Sequence, residues 1–137
     1  MKRYLFIPMF TLLSQLALAD LAVIVSSQSP ISSLSENEVR QLFTGQIKTL
    51  SGMRVEPLDM PGGSDLRNRF YQGLMGRSPE QMRAYWTRLI FTGQGKPPQE
   101  VMNQDELARL LKGSPNSIGY LPGDQVPADA KVVFRVQ

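Results

Sequence analysis

Leu21-Ala22-Val23-Ile24-Val25, followed ten residues on by Ser35-Glu36-Asn37-Glu38-Val39, decides the fold class. The first run is continuous, apolar and β-branched, which is how a strand buried on both faces reads, as in a parallel sheet. The second is a capping box: a Ser hydroxyl for an orphan amide, with a Glu three residues on. Val39, Leu42 and Phe43 give the helix that follows a short apolar face, and Gly45 closes it. A strand that hands over to a capped helix is the unit of an α/β protein.

The unit recurs toward the C-terminus. Ser51-Gly52 reads as a turn, and Arg54 to Asp59 as extended chain. Pro57 lacks a ladder donor and argues against a central strand. Pro61-Gly62-Gly63-Ser64 is a loop whose serine caps a helix carrying Leu66, Phe70, Leu74 and Met75, closed at Gly76. Ser78 and Pro79 start the next helix, with Met82, Tyr85, Trp86, Leu89, Ile90 and Phe91 at helical spacing and Gly93 at its end. Core packing is the expected role of Tyr85 and Trp86. After the stiff Gly95-Lys96-Pro97-Pro98 segment, Asn103 opens a last helix through Leu107, Leu110 and Leu111 to Gly113. Ser117 to Leu121 and Lys131 to Val136 read as strands. The polar ends of the second suggest a sheet edge. The order predicts an α/β domain with a mainly parallel sheet of four to five strands flanked by helices. One motif occurs twice, Phe43-Thr44-Gly45-Gln46 and Phe91-Thr92-Gly93-Gln94, and reads as two helices ending in the same left-handed cap behind an aromatic residue.

Toward the N-terminus the character changes. Met1-Lys2-Arg3, an interrupted apolar stretch from Tyr4 to Leu16 and the small residues of Ala17-Leu18-Ala19 read as a secretory signal peptide over residues 1–19, cleaved near Ala19-Asp20. The stretch is too short and too interrupted for a spanning helix of about 20 residues, so no stable membrane anchor is expected. The exported part, residues 20–137, is predicted to be one domain in the periplasm or outside the cell. It carries 13 basic and 12 acidic residues once Lys2 and Arg3 are removed from the total of 15. With a net charge of +1 and no basic run, nucleic acid is not an expected partner. The chain contains neither Cys nor His. Thiolate catalysis, Ser-His-Asp triads and His/Cys metal sites all need one or the other. No catalytic residue, metal ligand or cofactor is therefore assigned, and an enzyme is not expected.

The ordered landmarks resemble the phosphate-binding proteins of bacterial ABC transporters, within the type II periplasmic binding proteins. Leu34 to Gly45 is similar to the family's "Leu-Ser/Thr … Ile-Phe-x-Gly" helix, and Ser51-Gly52 before Val55-Glu56-Pro57-Leu58 to the approach to its next strand. Gly63-Ser64 with Arg67 and Phe70 is similar to its ligand loop and helix. Trp86, Gly93-Gln94-Gly95 and Ser117-Ile118-Gly119-Tyr120 match later landmarks. The resemblance spans roughly residues 21–121 and implies a single lobe of that fold and non-catalytic recognition of a small oxyanion such as phosphate. Two departures accompany it. Family members have two lobes with the ligand between them, whereas this chain has one lobe's worth of residues; tight binding would need a second wall, from a homodimer or an envelope protein. The family's Arg followed by Ser-Gly-Thr is here Asp59-Met60-Pro61-Gly62-Gly63-Ser64-Asp65-Leu66-Arg67. The second reading is therefore an envelope adaptor or sensory interaction protein with the same fold and a decayed pocket.

The candidate oxyanion site is Gly62, Gly63, Ser64, Asp65 and Arg67, with Tyr120 reaching in from a strand end. A glycine-preceded helix start presents orphan amides and a dipole that favours negative charge. Ser64 offers a hydroxyl, and Arg67 its fork one turn in. Asp65 opposes an anion there, because its carboxylate already complements the dipole.

Overall fold

The computed structural model describes Arg3 and residues 20–137; the expected signal peptide lies outside the described residues. Along the described chain the elements are β1 (Leu21–Ser26), α1 (Glu36–Phe43), β2 (Thr49–Leu50), β3 (Met53–Arg54), β4 (Glu56–Asp59), α2 (Asp65–Met75), α3 (Pro79–Phe91), β5 (Gln99–Glu100), α4 (Gln104–Lys112), β6 (Ser117–Pro122) and β7 (Ala130–Val136). Five strands form one sheet in the order β5-β4-β6-β1-β7, and β2 and β3 form a separate hairpin. Ser51 and Gly52, at φ 50° and 80°, turn that hairpin with the two left-handed residues that match the twist of its strands.

β4 runs parallel to both β5 and β6, while β1 pairs antiparallel with β6 and β7. Four of the five strands therefore share a direction and β1 is reversed. The apolar run of β1 was expected to mark a strand buried on both faces of a parallel sheet; the two-sided burial holds, but the pairing is antiparallel on both sides. Every residue of β1 is buried, because helices cover both faces of the sheet. Phe70 of α2 stacks on Tyr120 with ring centroids 3.8 Å apart, and Phe43 meets both rings edge-on. On the opposite face Leu107 of α4 presses on Gly119, where a Cβ would lie 2.7 Å from its Cδ1. The alternation of Gly119 and Tyr120 along one strand thus seats one helix on each side.

β7 lies at an edge, as expected from its polar ends, and antiparallel to its neighbour. Pro57 was expected to keep its strand out of the sheet interior, yet β4 is internal. Its partner β5 is only two residues long and pairs with Leu58 and Asp59 alone, so the missing donor of Pro57 falls beyond the end of that ladder. The helix starts follow the sequence closely: Ser35, Ser64, Ser78 and Asn103 all accept from an amide of the first turn. In α3 only Met82 and Trp86 are buried. Ile90 and Phe91 were expected on its inner face but are 56% and 92% exposed. Among the described residues no helix is long and apolar enough to cross a membrane.

Candidate functional site

The site forms where β4 ends and α2 begins. Met60 to Gly63 turn the chain, with Gly63 at φ 85°, a left-handed conformation that glycine adopts without a Cβ penalty. Ser64 caps α2: its Oγ accepts from Arg67 N at 3.1 Å, and its own amide donates to Pro61 O at 3.0 Å. Among the described residues the amides of Gly63, Asp65 and Leu66 have no hydrogen-bond acceptor. The amides of Asp65 and Leu66 are orphan donors that a helix start is expected to leave, and Gly63 adds a third from the turn before the cap.

Arg67 folds back over the loop. Its Nη1 donates to Met60 O at 3.2 Å, and its Nε lies 3.6 Å from Asp59 Oδ2. Asp59, 1% exposed, is the hub beneath the loop. Tyr71 Oη donates to its Oδ2 at 2.6 Å, Tyr120 Oη donates to its Oδ1, and Met60 N donates to Oδ1 at 3.0 Å. Burial pushes the Asp59 carboxyl above its ordinary range, and the Arg67 charge and the two phenol donors pull the other way. Burial and the neighbouring Asp59 raise both phenols as well, so each stays a neutral donor.

A second carboxylate reaches the loop from β5. Glu100 Oε1 accepts from Gly62 N at 2.8 Å, and its Oε2 stands 3.7 Å from Arg67 Nη1. Glu100 thereby holds two of the donors that a free anion would use. Beside it a groove of about 320 Å3 opens between the loop, α2, α3 and the 97–100 segment; Gly62, Gly63, Arg67, Arg83, Trp86 and Glu100 are among its walls. Trp86 is 5% exposed, as expected of a core residue, but its indole N–H has no acceptor among the described residues.

Of the expected residues, Gly62, Gly63 and Arg67 meet at this groove. Ser64 and Asp65 are not among its walls; they form the cap and the first turn of α2. Tyr120 does not line it: the ring is sealed in the core and its hydroxyl is held by Asp59, so it supports the loop from below. In the sequence Asp59 was read as the end of the extended segment, near where the family has an Arg that this chain lacks. The roles of Tyr71 and Glu100 were missed. Glu100 lies 38 residues from Gly62, and no local pattern links them. Among the described residues no group of three or more potential metal-binding side chains occurs.

No family profile and no curated protein matches the chain. Solved structures do. A protein from Clostridium perfringens, named for phosphate ABC transporter substrate binding and holding bound phosphate, superposes with a TM-score of 0.68 at 18% identity over 84% of this chain. An ABC-type phosphate transport receptor from Vibrio cholerae does so with a TM-score of 0.65 at 19% identity over 85%. This chain has the fold of a single lobe of a phosphate-binding protein. It spans 44% and 46% of the length of those two structures. At this identity the likeness is one of fold.

Proposed function

We propose that this chain is an exported, non-catalytic binding module that takes a small oxyanion such as phosphate at the start of α2. The observation that carries the reading is the set of three unfilled amides, at Gly63, Asp65 and Leu66, beside the guanidinium of Arg67 and the open groove. Backbone amides and a guanidinium are the donors that suit a phosphate or carboxylate. The shared fold supports the same class of ligand. The half-site is open to water, which weakens each charge-assisted bond, and weak binding is the expected consequence.

Isothermal titration with phosphate, sulfate and acetate tests it. Saturable heat with phosphate, lost in Arg67→Ala and preserved in Arg69→Ala, supports the reading; no heat from any anion overturns it. Export is tested separately by mass spectrometry of the periplasmic fraction, where a chain starting at Asp20 is expected.

Glu100 favours the second reading. A carboxylate that already holds the Gly62 amide and faces Arg67 is what a decayed pocket would contain. On that reading the fold is kept as an adaptor in an envelope complex. A chain without anion binding that still co-purifies with one envelope protein would support it.

A further inference from the structure

Among the described residues, Glu80, Ala84, Arg88 and Phe91 on the outer face of α3 are exposed. We propose that this face is a self-association surface that pairs α3 with α3 of a second copy, antiparallel, about a two-fold axis at Ala84. The inference does not depend on anion binding, although Arg83 and Thr87 border both surfaces. Glu80, Ala84, Arg88 and Phe91 fall on one stripe of the helix at i, i+4, i+8 and i+11, opposite the buried Met82 and Trp86. Together with Thr87 and Arg83 they line a shallow concave surface.

Phe91 is the observation that asks for a partner. The repeated motif makes the comparison internal to the chain. Thr44 and Thr92 both return their hydroxyls to the carbonyl four residues back, and Gly45 and Gly93 both take left-handed φ, 72° and 69°. The Phe before each differs completely. Phe43 is sealed against Phe70 and Tyr120, whereas Phe91 is 92% exposed.

Charge identifies the partner. An isologous interface sets residue i against residue j of the partner and j against i. With the axis at Ala84, Glu80 lies four residues before it and Arg88 four after. Antiparallel helices therefore bring Glu80 level with the partner's Arg88, twice per dimer. Neither residue takes part in an ion pair among the described residues. The small side chain at Ala84 lets the helices approach at the axis, and Phe91, seven residues past it, then lies level with the partner's Arg77, just ahead of the helix start. One helix pair is a small interface, so association in the micromolar range is expected.

Sedimentation equilibrium across a concentration series, on protein produced from the full chain, reads the oligomeric state. A concentration-dependent dimer is expected. Glu80→Arg and Arg88→Glu should each weaken it about tenfold or more, and the double reversal should restore it. Phe91→Ala should weaken it similarly without lowering the melting temperature. The chain has no Cys, so Ala84→Cys gives a clean second readout: a residue on the axis meets itself and cross-links under mild oxidation. A monomer at every concentration overturns the proposal. So does a dimer indifferent to Phe91→Ala and to charge reversal, or an Ala84→Cys variant that never cross-links.

Discussion

Asp59 determines how the loop above it is held. Its carboxyl is raised by burial, so the folded state binds that proton more tightly than the unfolded chain does. Between the unfolded value near 3.8 and the raised folded value, the folded protein carries more protons, and stability falls as pH rises through that window. Asp59→Asn removes the titration and is expected to flatten this slope; urea melts at pH 4, 5, 6 and 7 would measure it. Glu100 is the other deciding side chain. Glu100→Gln takes a negative charge from beside Arg67 and should tighten phosphate binding roughly tenfold, the order expected for one charge near a protein surface, as read by titration calorimetry. Neither role was legible locally. The phenol donors to Asp59 lie 12 and 61 residues away in Tyr71 and Tyr120, and a carboxylate carries no mark in sequence of the partner it will meet.

Helix starts were the most legible elements, because a cap is settled within four residues. Ser64→Ala should cost about 1 kcal/mol of unfolding free energy, measured by denaturant melts. It should also release the Arg67 amide that Ser64 now holds. Strands were less legible where they are short. β5 has two residues and no periodicity to read, yet it delivers Glu100 to the loop. Pro57 was read as a mark of an edge because the sequence does not show how far a neighbouring ladder extends. In β6, Gly119 is a point of close approach to α4. Gly119→Ala would drive a methyl into Leu107 and should destabilise by about 1–3 kcal/mol, lowering the denaturation midpoint.

The alternation of strands and helices carried the α/β class from sequence to structure, since it depends only on order and period. The direction of β1 did not come through. Reversal depends on which strands flank it, and these lie about a hundred residues away. The two motif phenylalanines separate folding from association across the molecule. Phe43→Ala should lose about 3–5 kcal/mol, whereas Phe91→Ala should stay within about 0.5 kcal/mol of the parent; paired thermal melts would resolve the two. Finally, Glu100 travels with the chain it competes on. A tethered group meets its receptor at an effective concentration on the order of millimolar, and dilution never removes it. On the proposed reading, a free anion would have to outnumber that built-in rival before it gained the cradle. The module would then answer to plenty and ignore traces, with its threshold written into a strand two residues long.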